Sequence, residues 1–172
     1  MSEVPQKPID IKIRWATPYD TVNFAKFVQK TAIGEMGYMT MGSVDEGNLV
    51  YYCGKLIQVG KVVIAEVSGR IVGVLAMDKG TEPWAPAGQY FLNLEWFLVL
   101  EKFRERGTAA KLLEWLEGFA DEHSVPIHFG LYNSDENTKV LEMFMKRKGF
   151  TYMGANFQRM PSSGKQEEFI EE

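Results

Sequence analysis

In the stretch Val99-Leu-Glu-Lys-Phe-Arg-Glu-Arg-Gly-Thr-Ala-Ala-Lys-Leu-Leu113, a short basic turn joins an apolar strand to an amphipathic helix. The strand is predicted to cover residues 90–100, and the helix is predicted to start near Gly107. The first amides of a helix have no partner within it and lie at the positive end of its dipole. Small side chains at residues 107–110 leave these amides uncovered, and three nearby side chains add positive charge: Arg104, Arg106 and Lys111. The stretch therefore predicts a site for phosphate or pyrophosphate.

An ordinary strand–turn–helix with a solvated basic turn is the alternative, because glycine-containing turns often precede helices. However, the pattern Arg104-x-x-Gly107-x-Ala109 after a strand that ends in Val resembles the acyl-CoA-binding signature of the GNAT family of N-acetyltransferases, Arg/Gln-x-x-Gly-x-Gly/Ala. The resemblance implies acetyl-CoA as co-substrate, held by the turn and the start of the helix: Arg104, Glu105, Arg106, Gly107, Thr108 and Ala109. No metal is expected, since His123 and His128 are the only histidines and have no Cys partner nearby.

The composition suits one folded domain. The 172 residues are 45% hydrophobic and carry a formal net charge of -4. Nucleic-acid-binding domains usually carry the opposite charge, so no nucleic-acid partner is expected. No apolar run is long enough to cross a membrane and the first residues lack the pattern of a signal peptide, so we expect a cytoplasmic protein with no membrane partner. The single cysteine, Cys53, excludes an internal disulfide and is expected to be buried.

The resemblance extends over residues 11–160 and implies an acyl-CoA N-acyltransferase domain across that range. It implies an α/β fold with a mixed, mostly antiparallel central sheet of about six to seven strands, flanked by about four helices. Residues 1–10 are expected to form a flexible leader, and residues 161–172 a disordered acidic tail.

Periodicity and turn signals divide the chain further. The predicted strands are 11–15, 61–67, 70–77, 90–100, 125–132 and 151–160, and the predicted helices are 22–28, 46–58, 107–123 and 136–148. Ser68-Gly69 predicts a tight hairpin turn, Gly73 a bulge or a close approach, and Gly149 a helix C-cap. The connection 78–89 is interpreted either as a wall of the acceptor site or as a surface insertion.

The resemblance implies that main-chain groups of the signature strand bind pantetheine and polarise the thioester carbonyl. Phe97, Leu98 and Val99 occupy that stretch, and only their main chain would contribute. By the same resemblance, Asn133 and Asn137 are candidates for contacts with pantetheine or phosphate.

A regular strand would place Asn93, Glu95, Phe97 and Val99 on one face. Members of the family often carry an acid at the position of Glu95, which makes Glu95 the candidate catalytic base, acting through water. Asn93 is a candidate for orienting that water. The alternative for Glu95 is a structural carboxylate that bonds a core donor or reaches solvent.

The general acid has no clear candidate. The family often has a Tyr four residues before the Gly that closes the last helix, and Met145 stands at that position here. Tyr132 and Tyr152 could replace it by residue type, although aromatic core is the simpler interpretation of both. Either the thiolate leaves without assistance, or catalysis is weak.

Together these features predict an N-acetyltransferase that moves an acetyl group from acetyl-CoA to a primary amine by direct attack in a ternary complex. The acceptor would be a small molecule, a peptide or a protein, and aromatic residues of the 81–91 loop would suit a homodimer contact. The alternative is a CoA-binding or interaction module that has the same fold and little or no activity.

Overall fold

One mixed β-sheet organises the part of the chain that the computed structural model describes, residues 9–35, 44–81, 83–84, 86–130 and 135–151. Its strands lie side by side in chain order: β1 (Lys12–Trp15), β2 (Val62–Val67), β3 (Arg70–Gly80), β4 (Phe91–Val99) and β5 (Ile127–Phe129). Each neighbouring pair among β1 to β4 is antiparallel, whereas β5 runs parallel to β4. The predicted class is confirmed, with five strands in the described residues against about six to seven expected.

The helices of the described residues flank this sheet: α1 (Thr21–Val28), α2 (Glu46–Gln58), α3 (Glu101–Arg104), α4 (Thr108–His123) and α5 (Asp135–Arg147). A 3₁₀ turn precedes α1, and a π-helical segment, Gln29–Glu35, follows it. Four of these helices match the predicted ones within about two residues, the usual uncertainty of helix ends. The fifth, α3, is a single turn of helix inside the predicted basic turn.

Parts of several predictions lie outside the described residues. These are positions 1–8 of the leader, residues 82 and 85 of the connection 78–89, residues 131–132 of the strand predicted at 125–132, all residues after 151 of the last predicted strand, and the whole tail 161–172. In the portion that is described, no helix has both the length and the apolar character needed to cross a membrane.

The sheet separates two apolar cores. Helices α4 and α5 cover one side, here called the α4 face, where the buried residues include Val63, Leu75, Leu94, Leu113 and Leu116. Helices α1 and α2 cover the other side, here called the α2 face, where they include Phe24, Cys53, Ile64, Val74 and Leu98. Cys53 is fully buried, as predicted, and burial raises the pKa of its thiol to about 12. A thiol in this environment stays protonated and serves packing.

The hairpin between β2 and β3 has the predicted tight turn. Ser68 and Gly69 both have positive φ, at 49° and 76°. Two consecutive residues with positive φ match the right-handed twist of the flanking strands, which is why short hairpins favour such turns.

Gly73 shows both the bulge and the close approach that a glycine inside a strand predicts. The pairing of β2 with β3 shifts register next to it, because Ala65 faces Gly73 while the next residue, Glu66, faces Ile71. A Cβ atom at position 73 would lie 3.0 Å from a methyl group of Leu112 and 3.0 Å from that of Thr108. The glycine therefore lets α4 pack closely on the sheet.

We expect Gly73→Ala to lower the free energy of unfolding by about 1–3 kcal/mol, because the added methyl group overpacks the buried contact with α4. Urea denaturation measures the change. The matched control is Gly118→Ala, at an exposed site of α4 where a Cβ would meet nothing within 4 Å. There alanine should raise stability by about 0.5–1 kcal/mol, through helix propensity alone. Equal effects at the two sites would contradict the close packing.

Candidate functional site

The start of α4 is an open cradle of main-chain amides. Gly107 precedes the helix in the left-handed conformation, with φ at 79°, and its carbonyl accepts the first helical hydrogen bond from the amide of Lys111 at 3.0 Å. The amides of residues 108–110 have no carbonyl partner within the helix and point out of its end. A Cβ atom at Gly107 would meet nothing within 4 Å, so the space beside this residue is open among the described parts of the chain. The cradle fits a phosphate group through amide donors and the helix dipole.

The basic turn is anchored to the end of β4. The Arg104 Nε atom donates to the carbonyl of Val99 at 3.1 Å, and the Arg106 guanidinium lies 6.0 Å from the centre of the Phe103 ring. Arg104, Glu105 and Arg106 are all exposed. Two of the three predicted cations therefore lie in the turn that leads into the cradle. The third, Lys111, extends towards β1, where its Nζ atom lies 3.4 Å from the carbonyl of Ile11.

Thr108 and Ala109 both contribute main-chain amides to the cradle, but their side chains differ in burial. The Thr108 side chain is fully buried beneath the cradle, with its methyl group against Gly73, while Ala109 is half-buried. The Thr108 hydroxyl is also buried and has no hydrogen-bond partner in the described parts of the chain. Of the polar groups of Thr108, only its main-chain amide is therefore placed to contact a ligand.

We expect Thr108→Val to raise the free energy of unfolding by about 1 kcal/mol, because valine has nearly the same shape and removes a buried hydroxyl that lacks a partner. Urea denaturation measures the gain, and calorimetric titration with acetyl-CoA should give an unchanged affinity. A loss of stability would mean that the hydroxyl has a partner, and a loss of affinity would mean that the ligand uses it.

Strands β4 and β5 pair over a short distance only. Leu92, Asn93 and Leu94 pair with residues 127–129, and the amide of Leu92 donates to the carbonyl of Pro126 at 2.8 Å. Beyond Leu94, no described residue pairs with this edge of β4. Within the described residues, no strand therefore pairs with β4 beside residues 95–99, at the end of β4 that leads into the basic turn, and this unpaired stretch is called the gap below.

The register of β4 shows which main-chain groups face this gap. The amide of Leu100 donates to the carbonyl of Val72, and alternation along an antiparallel pair then directs the main chain of Leu98 towards β3. The main-chain groups of Phe97 and Val99 point the opposite way, into the gap, where Arg104 already occupies the Val99 carbonyl. Phe97, Leu98 and Val99 were all predicted to contribute main-chain groups, and only Phe97 and Val99 have amides that face the gap.

A β-bulge interrupts β4 at Glu95. Ala76 of β3 faces Trp96, and its neighbour Met77 faces Leu94, so Glu95 has no opposite residue. The bulge changes the alternation of side chains, because Leu94 and Phe97 both pack on the α4 face while Trp96 packs on the α2 face. The expectation that Asn93, Glu95, Phe97 and Val99 share one face was therefore wrong, since it assumed a regular strand. Asn93 and Glu95 lie on the α2 face, and Phe97 and Val99 lie on the α4 face.

Glu95 receives a hydrogen bond from α2. The Tyr52 hydroxyl donates to Oε2 of Glu95 at 2.7 Å, and the Tyr52 ring meets Trp96 edge-on with ring centres 5.5 Å apart. Glu95 is half-buried. Burial, reinforced by the Glu95 carboxylate, holds the pKa of Tyr52 far above its ordinary value. Tyr52 therefore remains protonated and stays a donor to Glu95 across the pH range in which proteins are folded.

Further polar groups lie on the same face beside Glu95. Asn93 is exposed and stands opposite Asp78 of β3 and opposite His128 of β5. Asp78 forms an ion pair with Lys61, and the hydrogen bond from Lys61 lowers the pKa of that carboxyl. His128 stacks on Phe91, with ring centres 4.0 Å apart. A carboxylate, an amide and an imidazole thus line the exposed end of this face.

Tyr52, Lys61 and Asp78 were not predicted as site residues, and His128 was considered only as a metal ligand. Side chains alternate between the two faces of a strand, so the apolar neighbours Ile127 and Phe129 could have indicated that the His128 side chain lies on the opposite, open face. No local signal could have identified Tyr52, because 43 positions separate it from Glu95.

The remaining predicted residues fall into three groups. Asn133, Tyr132 and Tyr152 lie outside the described residues, and of Asn137 only the backbone is described, in the first turn of α5. Met145, which stands where the family often has a Tyr, is 5% exposed and packs in the core of the α4 face. Over the described ranges, no group of three or more potential metal-binding side chains comes together.

Comparison with known proteins identifies the family of this chain. Residues 42–150, more than half of the chain, match the sequence model of the acetyltransferase (GNAT) family. A search of curated proteins finds no match.

Solved structures with the same fold have low sequence identity to this chain. A GNAT-family acetyltransferase from Listeria monocytogenes 4b F2365 is 21% identical with a TM-score of 0.64, covering 89% of this chain and 93% of that chain. Ribosomal-protein-alanine N-acetyltransferase from Brucella melitensis biovar Abortus 2308 is 17% identical with a TM-score of 0.63, covering 88% and 100%. The aminoglycoside N-acetyltransferase AAC(6')-Iy, solved in complex with CoA, is 13% identical with a TM-score of 0.66, covering 92% and 99%.

At these identities the structural matches concern the fold alone. The sequence model covers the bulged strand, the basic turn and the cradle at the start of α4, which are the elements that form the site. The chain therefore belongs to the acetyltransferase (GNAT) family.

Proposed function

We propose that this protein transfers the acetyl group of acetyl-CoA to a primary amine. The observation that carries the proposal is the placement of the open amide cradle at Gly107 next to the gap beside β4. A phosphate group at the cradle would leave the pantetheine arm free to follow the exposed edge of β4, as an additional strand would. Such an arm needs main-chain donors and acceptors, and Phe97 and Val99 direct theirs into the gap.

The reaction needs few groups from the protein. The neutral amine attacks the thioester carbonyl carbon, the carbon–sulfur bond breaks, and CoA leaves as a thiolate that takes a proton from water. A main-chain amide in the gap would stabilise the developing oxyanion. The proton lost by the amine would pass through a water to Glu95, with Asn93 on the same face to orient that water.

The acceptor would approach on the α2 face, where Glu95, Asn93 and His128 line the exposed end of the sheet. The Glu95 carboxylate there would attract an amine in its cationic form before it loses a proton. We propose a small-molecule, peptide or protein amine as the acceptor, and the cytoplasm as the location. Trp84 is exposed in the loop between β3 and β4. We propose that this loop forms either a wall of the acceptor site or a homodimer contact.

The test is release of free CoA thiol from acetyl-CoA when the protein is given a panel of primary amines: polyamines, aminoglycosides, and peptides with a free N-terminus or a lysine. Thiol release that depends on the amine, together with an acetylated product in the mass spectrum, is the expected result. Tight binding of acetyl-CoA with no turnover of any amine would contradict the proposal and favour a CoA-binding module without activity.

The second candidate function, a CoA-binding module without activity, has one specific observation in its favour. Met145, at the position where a Tyr would serve as general acid, is a buried core residue and donates no proton. The thiolate of CoA is a good enough leaving group to depart without a proton donor, so we favour the enzyme.

A further inference from the structure

Tyr52 and the bulge of β4 form a single local arrangement. In a regular strand, consecutive side chains point to opposite faces, so Glu95 and Trp96 would be on opposite sides of the sheet. The bulge places both on the α2 face, and Tyr52 contacts both of them. Its ring meets the Trp96 ring, which Phe24 supports from the core at 5.7 Å. The aromatic contact thus fixes the ring of Tyr52, and the hydroxyl reaches Oε2 of Glu95.

This arrangement has a chemical consequence for the carboxylate. Within the described ranges, the bond from Tyr52 is the only hydrogen bond that the Glu95 carboxylate accepts, and no cation pairs with it. A glutamate side chain rotates freely about three bonds, and a single strong donor at one oxygen removes much of that freedom. The second oxygen, Oε1, stays available to accept from a water or an amine.

Resting on the proposed function, we infer that Tyr52 is a positioning residue that holds Glu95 in the orientation in which it takes the proton of the acceptor amine. Tyr52 itself exchanges no proton. Its hydroxyl stays protonated and keeps one carboxylate oxygen in place, while the other oxygen takes part in proton transfer. A base held in one orientation needs no rearrangement before each turnover.

The alternative role for Tyr52 is structural, as a half-exposed aromatic residue that covers Trp96. Its relative exposure of 41% means that removing the hydroxyl leaves little unsatisfied in the core. Tyr52→Phe keeps the ring on Trp96 and removes only the donor, so this variant separates the two roles.

The experiment is a double-mutant cycle of Tyr52→Phe with Glu95→Gln, read as kcat and as KM for acetyl-CoA. We expect Tyr52→Phe alone to lower kcat about 10- to 100-fold, the usual worth of a hydrogen bond to a charged group, with KM for acetyl-CoA unchanged. In the Glu95→Gln background the same substitution should change kcat less than about twofold, because the group it positions is gone.

The matched control is Tyr51→Phe, on the same helix. The Tyr51 side chain is 63% exposed, and its ring contacts the Lys55 ammonium, 4.7 Å from the ring centre. We expect wild-type kcat and wild-type thermal stability for this variant.

Each of the other results would overturn the inference. Wild-type kcat in Tyr52→Phe would show that the hydroxyl plays no part, and multiplicative losses in the double variant would show that Tyr52 acts independently of Glu95. In both cases the proposed function would stand, because the wild type turns over the amine. A wild type without turnover would instead contradict the proposed function, and this inference with it.

Discussion

Replacing Gly107 with glutamate is expected to weaken acetyl-CoA binding about 100-fold or more in a calorimetric titration. Three effects act in the same direction. A side chain at this position covers the amides of residues 108–110, its negative charge repels phosphate, and φ at 79° no longer suits the residue, which disturbs the cradle. The protein should still fold, because a Cβ at Gly107 would meet nothing within 4 Å and the left-handed conformation costs a non-glycine residue only about 1–2 kcal/mol.

The matched control for this variant is Gly60→Glu. Gly60 is exposed in the turn after α2, has φ at 69°, and would also place its Cβ in open space. Gly60→Glu therefore carries the same backbone strain and the same added charge, and it lies in a turn that contributes nothing to the cradle. We expect a similar loss of thermal stability in the two variants and wild-type binding in Gly60→Glu only. Undiminished binding in a folded Gly107→Glu would place the cofactor elsewhere on the protein.

A feature of this site can be predicted from the sequence when the residues that cause it lie close together in the chain. The left-handed glycine, the helix that follows it and the basic turn depend on neighbours within a few positions, so the pattern around Arg104 and Gly107 was sufficient to predict them. The same holds for the hairpin turn at Ser68-Gly69 and for the C-cap at Gly149, which has φ at 88°. In each case a positive φ favours one residue type, and that residue type is visible in the sequence.

The arrangement around Glu95 depends on distant parts of the chain instead. A bulge forms where two neighbouring strands must fit different registers, and the segment Leu94-Glu95-Trp96 has no glycine that would mark it. Because the bulge was not foreseen, Phe97 and Val99 were assigned to the face that holds Glu95. Tyr52 was missed for a related reason, since only the packing of α2 on the sheet brings it to the carboxylate.

Replacing Glu95 with glutamine is expected to lower kcat about 10²- to 10⁴-fold, the usual contribution of a general base, with acetyl-CoA affinity unchanged. Glutamine has the same shape and can still accept the hydrogen bond of Tyr52, so the local packing is preserved and only the capacity to take a proton is lost. The pH profile gives a second measurement. The residual rate of Glu95→Gln should follow the ionisation of the amine alone, whereas the wild-type profile should differ from it because a protein group also takes part in proton transfer.

The control for this prediction is Glu122→Gln, which removes the same charge at an exposed position in the last turn of α4, at the opposite end of that helix from Gly107. It should keep the wild-type kcat and pH profile, so that a loss confined to Glu95→Gln reflects position and not net charge. Glu95 would be excluded as the base if its variant turned over the amine at the wild-type rate across the pH range. The structural alternative would then hold, with Glu95 serving to join α2 to the bulge through Tyr52. Truncation to Glu95→Ala, which removes the acceptor of that bond, should then appear in thermal denaturation rather than in kcat.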